Sequence, residues 1–299
     1  MPLPRPAVAS PWKVPSNAPE ARETVMASNP PSRRQAQGVA PPVPAGPATA
    51  FLILDTESVP DGELLSRVRY ADDSLTPEEA VARAQAEARA RSGEEFLPVT
   101  FQQPVAVCVL RVGQDFSLQA LACLDAPLFR PAEMVRLFWL GVGRYRPKLV
   151  TFNGRSFDLP LLELAAFRHG LSLADYLQKS RDRQGGNHLD LMDWLSNYGA
   201  CPISGGLNLL AKMLNKPGKL AVTGDQVYSL WRAGRVQEIN DYCLFDTLDT
   251  YFVFLRTRVM LGELGLSDEA ALVRRAKIWL TARVPEFPAL QQYLQAWGE

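Results

Sequence analysis

From Ala50 onward the chain alternates between short apolar runs typical of strands and longer stretches with helical periodicity. The first run, AFLILD, predicts a buried strand. The stretch TPEEAVARAQAEARARSG predicts a helix that is capped by Thr76 and ends at Gly93. Two β-rich runs, PVAVCVLRVG and FSLQALACLD, meet at a GQD turn and predict a hairpin.

The second half of the chain is dominated by helical patterns. KLVTFNG predicts one more strand, a helix is expected from about Ser156 to Gly170, and nearly everything after residue 186 has helical periodicity. The predicted strands come early in the chain and most of the helices late. A hairpin also lies among strands that helices join, and this arrangement predicts an α/β fold. We expect a mixed sheet flanked by helices, with a helix-rich C-terminal half.

Residues 1–49 differ from the rest in composition. They hold half of the 24 prolines of the chain and show neither helical nor strand periodicity, so we predict a disordered Pro/Ala-rich tail. A flexible linker and a partner-binding segment of an adaptor are both compatible with this composition. Residues 50–264 are predicted to form the principal domain, and residues 265–299 a helical C-terminal extension.

Charge and cysteine content narrow the class of protein. The 32 Lys and Arg residues balance the 32 Asp and Glu residues, so no global positive field indicates nucleic acid, although a local site is not excluded. The four cysteines are scattered without a CxxC pair, which predicts no zinc knuckle and a reducing compartment. No apolar run has the length of a membrane span. The prolines among the first ten residues interrupt the continuous apolar stretch that a signal peptide needs. We therefore expect a cytoplasmic protein without a membrane partner.

Two carboxylates follow the first predicted strand. Asp55 and Glu57 are two residues apart, so in an extended strand they face the same side. Like charges this close favour a bound cation, and Mg²⁺ and Mn²⁺ prefer carboxylate oxygen. A turn cap beside a solvated side chain is the alternative for this pair taken alone.

Two further elements carry candidate groups. The strand KLVTFNG ends in Asn153 and Gly154, where the glycine is expected to let backbone pass close to a ligand, and Asp158 lies in the first turn of the next helix. Tyr242 and Asp246 are four residues apart in a long helix and share one face. Each feature also has an ordinary explanation: Asp158 can complement the helix dipole, and the tyrosine and aspartate can form a half-buried polar pair.

Taken together, the ordered motifs DxE, NxxxFD and YxxxD resemble the tyrosine-type DEDD superfamily of 3′-to-5′ exonucleases, which have a ribonuclease-H-like fold. The segments FLILDTESVPD, LVTFNGRSFDLPLL, HLDLMDWLSNYG and EINDYCLFDTLDTYFVFLR are most similar to the predicted exonucleases related to the proofreading domain of family B DNA polymerases. The resemblance covers about residues 50–258.

The resemblance implies a catalytic set and a reaction. Its ligands for two Mg²⁺ or Mn²⁺ ions would be Asp55, Glu57, Asp158 and Asp246, and Tyr242 would orient the attacking water because a phenol with a pKa of about 10 is a poor base at neutral pH. The implied activity is two-metal-ion hydrolysis of the terminal phosphodiester at 3′ ends of nucleic acid, with single-stranded DNA favoured. An exoribonuclease of the same fold and an inactive nucleic-acid-binding module are the alternatives.

Several neighbouring residues keep two possible roles. Asn153 either contacts substrate or ties the strand end to backbone, and Phe157 either packs on a terminal base or fills the core. Asp190 either supports the site from behind or caps the helix that begins near Leu191. Basic residues that either contact phosphate or belong to solvated surface are Arg155, Lys212, Lys216 and Lys219. His188 has no partner of ligand type at useful spacing and is not expected to bind metal.

Overall fold

The computed structural model describes residues 48–180, 186–220 and 222–298. Its strands are β1 Thr49–Pro60, β2 Gln102–Gly113, β3 Leu118–Cys123, β4 Lys148–Thr151 and β5 His188–Asp190. They form one sheet in the order β3-β2-β1-β4-β5, in which β2 pairs antiparallel with β1 and β3, whereas β4 pairs parallel with β1 and β5. The predicted mixed sheet is confirmed. Residues 1–47 of the predicted tail, which was expected over residues 1–49, lie outside the described residues.

Helices cover the sheet. In chain order they are α1 Gly62–Val68, α2 Pro77–Ser92, α3 Pro131–Tyr145, α4 Asp158–Arg168, α5 Ala174–Ser180, α6 Leu191–Leu195, α7 Gly206–Met213, α8 Val227–Arg232, α9 Val236–Met260, α10 Leu266–Thr281 and α11 Ala289–Gln295. Across the described residues, no helix combines the length and the apolar character that crossing a membrane requires.

Local sequence signals determine α2 as expected. The Thr76 hydroxyl accepts from the Glu79 N–H, the Glu79 carboxylate accepts from the Thr76 N–H, and Gly93 ends the helix with a φ of 79°. Most of the region after residue 186 is helical, as expected, but the sequence did not predict β5. Those three residues are extended because they pair in register with β4, a partner that helical periodicity does not reveal.

Successive side chains of β1 point to opposite faces of the sheet and so contribute to two hydrophobic cores, the first against α3 and α4 and the second against α9. Leu52 and Leu54 face α3 and α4 on one side of the sheet, whereas Ile53 faces α9 on the other. The second core also receives Leu272 from α10 and Leu290 from α11. The C-terminal helices therefore pack on the same core as α9, while the division of the chain at residue 264 stays a prediction.

Candidate active site

The sheet brings the carboxylates of β1 against the long helix α9. Asp55 and Glu57 project from β1 beside a register shift that follows Glu57, and Asp246 approaches them from α9. One oxygen of each of these three carboxylates lies within 4.8 Å of the other two. All three residues are half-buried, so the cluster is partly exposed to solvent.

The protein compensates the negative charges of this cluster only in part, so the pKa values of its carboxylates are raised. Burial, followed by repulsion from Cys243 and Asp158, raises the pKa of Asp55 well above its ordinary value. Burial, with repulsion from Asp246, likewise raises the pKa of Glu57, and burial raises the pKa of Asp246 to about 6.

One oxygen of Asp55 has no hydrogen-bond partner among the described residues. Its Oδ2 is buried and receives no hydrogen bond from any described residue, which is costly for a carboxylate. A convergent set of carboxylate oxygens with an uncompensated buried oxygen is the donor set that hard divalent cations prefer. The residues that the structure assembles therefore fit Mg²⁺ or Mn²⁺.

Asp158 lies outside this group of three. Its Oδ1 accepts a hydrogen bond of 2.7 Å from the Thr56 hydroxyl, and burial raises its pKa to about 7. Its charge nevertheless raises the pKa values of Asp55 and Glu57, so the four acids share one electrostatic site. Assignment of Asp158 as a metal ligand stays a prediction.

The turn between β4 and α4 is held by Asp190. Its Oδ1 accepts from the Asn153 N–H at 2.9 Å and from the Met192 N–H at 3.0 Å, and its Oδ2 accepts from the Arg155 N–H at 2.8 Å. One carboxylate thus caps α6 and fixes the turn that leads to Asp158. Asn153, with a φ of 68°, also accepts from the Ser156 hydroxyl at 2.5 Å, so the structure shows it tying the strand end.

Gly154 is required by packing within the turn. A Cβ at this position would lie 2.3 Å from the Thr151 Oγ1, which accepts from the Gly154 N–H and lies 2.8 Å from the His188 Nε2. Packing inside the turn thus accounts for this glycine, and the expectation that it lets backbone pass close to a ligand stays a prediction. Burial lowers the pKa of His188 to about 3, so the imidazole is a neutral support of the turn.

Replacing Gly154 by alanine is expected to lower the free energy of unfolding by about 2–3 kcal/mol, because the added methyl group overlaps Thr151. The matched control is Gly143→Ala in α3, where a Cβ meets nothing within 4 Å and the better helix former is expected to add about 0.5–1 kcal/mol. Urea unfolding measures both. Equal stabilities for the two variants would contradict this account of the turn.

Tyr242 is a hydrogen-bond donor at the cluster. Its side chain is buried and its phenol faces the carboxylate of Asp246, one helical turn further along α9. Burial, followed by repulsion from Asp246 and Glu57, raises the pKa of the phenol far above its ordinary value. Tyr242 therefore stays protonated, as the water-orienting role requires.

The four basic residues predicted to contact phosphate differ in burial and in pairing. Arg155 is paired with Asp193 at 2.8 Å, and Lys212 is exposed. The expected phosphate role is wrong for Lys216, since its ammonium is buried and donates to the carbonyl of Leu214. Lys219 is exposed, and its positive charge offsets part of the rise in the pKa values of Glu57 and Asp246.

Sequence reasoning missed four residues near the site. Phe96, which is 63% exposed, contacts Phe157 with ring centroids 5.8 Å apart. Thr56 was missed because it lies between Asp55 and Glu57 in β1, and strand alternation points its side chain to the opposite face of the sheet. Asp249 and Tyr293 form a buried hydrogen bond of 2.6 Å that no local pattern indicates.

Comparison with known proteins adds two findings. Residues 94–297 match a family described as "Predicted 3'-5' exonuclease related to the exonuclease domain of PolB". The matched range contains Asp158, Tyr242 and Asp246 and begins after β1. The structure of the family B DNA polymerase from the hyperthermophilic archaeon Pyrobaculum calidifontis is similar over 75% of this chain, with a TM-score of 0.43 and 15% sequence identity. The chain spans 25% of the length of that polymerase chain.

Proposed function

Because this chain belongs to the family of predicted 3′-5′ exonucleases related to the exonuclease domain of PolB, we propose that it hydrolyses the terminal phosphodiester at 3′ ends of nucleic acid with divalent metal ions. The observation that carries the proposal is the convergence of Asp55, Glu57 and Asp246 oxygens within 4.8 Å. These carboxylates have raised pKa values and are only half-buried. The match over residues 94–297 confirms the family expected from the motifs.

Two groups of carboxylates are available to the ions. Asp55, Glu57 and Asp246 would hold one Mg²⁺ or Mn²⁺, and Asp55 together with Asp158 would hold a second. When bound, such ions activate the attacking water and neutralise the charge that develops on the phosphoryl oxygens. The protein side chains prepare this site: Thr56 orients Asp158 through its hydrogen bond, and Asp190 fixes the preceding turn.

The remaining groups orient the reactants. The phenol of Tyr242 would orient the nucleophilic water by a hydrogen bond, since its raised pKa prevents it from acting as a base. Lys219 offers a positive charge beside the cluster for a backbone phosphate. The rings of Phe157 and exposed Phe96 supply an apolar surface on which a terminal base stacks.

Single-stranded DNA is the favoured substrate of the proposal, and an exoribonuclease is the second candidate. Stacking on aromatic rings and contacts to phosphate are compatible with either polymer. The alternative of an inactive binding module is disfavoured because Asp55, Glu57, Asp158 and Asp246 are all present.

The test is a set of labelled oligonucleotides. Purified protein in Mn²⁺ or Mg²⁺ is incubated with single- and double-stranded DNA and RNA that carry a label at the 5′ or the 3′ end. We expect progressive shortening of 5′-labelled strands and release of nucleoside 5′-monophosphates. Shortening of RNA alone would favour the exoribonuclease, and no shortening of any substrate would contradict the proposed function.

Tyr242→Phe is expected to lower kcat by about 10²-fold, because the variant loses the donor that orients the attacking water. Metal binding should persist, since the carboxylates are unchanged. Single-turnover rates measure the first effect, and the Mn²⁺-dependent shift of Tm measures the second. Unchanged kcat in Tyr242→Phe would remove the phenol from the mechanism, and lost metal binding would show a structural role instead.

A further inference from the structure

Two buried cysteines face each other across the hairpin of the sheet. Cys108 on β2 and Cys123 on β3 are direct register partners, and the Cys108 thiol donates to the Cys123 sulfur at 3.4 Å. The Leu124 N–H donates to the Val107 carbonyl at 2.9 Å, so the adjacent cysteines form a non-hydrogen-bonded pair, whose Cα atoms lie about 4.5 Å apart. Disulfides span Cα separations of about 4.4–6.8 Å. The backbone therefore already holds the two residues at a separation that a disulfide can bridge.

A cavity of about 690 Å³ adjoins this pair. Cys123 lines it together with Asn240 on α9, and the exposed Glu286 at its rim shows that it opens at the surface. Cys123 is 7% exposed, whereas Cys108 is fully buried behind it. A small oxidant that enters the cavity therefore meets Cys123 first.

The other two cysteines are held apart from this pair. Cys243 on α9 donates to the Asp55 carbonyl at 3.2 Å, and Cys201 is exposed. Cys108 is the register partner of Asp55 in the pairing of β2 with β1, so the two facing thiols lie one strand away from the carboxylate cluster. The geometry thus favours a single pairing among the four cysteines.

We propose that Cys108 and Cys123 form a reversible redox-modification site, in which a hydroperoxide oxidises Cys123 and Cys108 then closes a disulfide between β2 and β3. In the first step the Cys123 sulfur attacks a peroxide oxygen, the O–O bond breaks, and a sulfenic acid and an alcohol form, or water when the oxidant is hydrogen peroxide. In the second step the Cys108 sulfur attacks the sulfenic sulfur, the S–O bond breaks, and the thiol proton leaves with the hydroxyl as water.

The electrons of this sequence balance. The two sulfurs together lose two electrons, and the O–O bond of the hydroperoxide takes them up. A dithiol reductant restores both thiols by thiol–disulfide exchange. The site needs neither a metal ion nor nucleic acid, so it is independent of the proposed function.

Peptide mass spectrometry of the full chain tests the proposal. A Cys201→Ser parent, which lacks the exposed thiol, is treated with hydrogen peroxide, blocked with N-ethylmaleimide in denaturant and digested with trypsin. Arg111 lies between the two cysteines, so their disulfide appears as a linked pair of peptides. We expect this link to be the main product and dithiothreitol to remove it.

Two substitutions in the parent are matched, because each removes one buried thiol. Cys108→Ala is expected to leave Cys123 as a sulfenic acid, with about tenfold more labelling by dimedone than in the parent, since the resolving thiol is gone. Cys243→Ala is expected to form the link between Cys108 and Cys123 within about twofold of the parental rate. If Cys108→Ala does not fold, the parent and Cys243→Ala still decide the pairing.

Entry through the cavity predicts that the linking rate is unchanged within about twofold by urea concentrations below the unfolding transition, because no opening of the fold is required. Three outcomes overturn the proposal. One is a peroxide-treated parent without linked peptides, and another is a link that contains Cys243. The third is a linking rate that rises about tenfold or more in this range of urea, which indicates that the thiols react only in opened chains.

Discussion

Replacing Asp55 by asparagine is expected to lower the rate of nucleotide release by about 10³-fold, the scale on which removal of electrostatic stabilisation acts. Asp55 is the acid that both groups of metal ligands share in the proposed function. Asparagine keeps the size of the side chain and removes its negative charge, so the ions lose a common ligand. The single-turnover rate at which a 5′-labelled DNA strand is shortened in saturating Mn²⁺ measures the effect.

The control for this substitution is Asp241→Asn on α9. Asp241 accepts from the Gln237 side chain at 2.8 Å and is not a member of the carboxylate group. Its variant should retain activity within about twofold, because most substitutions away from special features have small effects. An Asp55→Asn protein that keeps a tenth of the wild-type rate or more would contradict the assignment of Asp55.

The parts of the site that were predictable from the sequence depend on short-range periodicity. Asp55 and Glu57 face one side because residues two apart in a strand do so, and Tyr242 and Asp246 share a face because residues four apart in a helix do so. The parallel pairing of β1 with β4 then places the turn that leads to Asp158 beside them. The two periodicities lie within a few residues and need no knowledge of packing, whereas the pairing of β1 with β4 joins distant parts of the chain.

The parts that were missed depend on how distant elements pack. The hydrogen bond between Thr56 and Asp158 joins positions 102 residues apart, and that between Asp249 and Tyr293 joins positions 44 residues apart. Each bond forms only because a helix lies against the sheet or against α9 in one orientation. β5 was missed for the same reason, since pairing with β4 makes its three residues extended.

In EDTA, the wild-type protein is expected to lose stability as pH rises from 6.5 to 8. The folded-state pKa of Asp158 is about 7, against an ordinary value of 3.8, and the pKa of Asp55 is raised in the same direction. The native state therefore binds more protons in this interval than the unfolded state, and the free energy of unfolding falls as those protons leave. His188, with its pKa lowered to about 3, acts oppositely only below its ordinary value of 6.5. Scanning calorimetry across this interval measures the slope.

Divalent cations should reverse this loss, because they bind the native carboxylates and not the unfolded chain. At 100 times the Kd, Mn²⁺ is expected to add about 2.7 kcal/mol to the free energy of unfolding at pH 8. Asp55→Asn should be more stable than wild type in EDTA at pH 8, since it removes one of the repelling charges, and should gain much less from Mn²⁺. A variant that is destabilised in EDTA and gains as much from Mn²⁺ as wild type would mean that Asp55 serves the fold rather than a cation. We therefore expect this variant to lose activity and to gain stability without metal. The close carboxylates attract the cation, but their mutual repulsion opposes folding when no cation is bound.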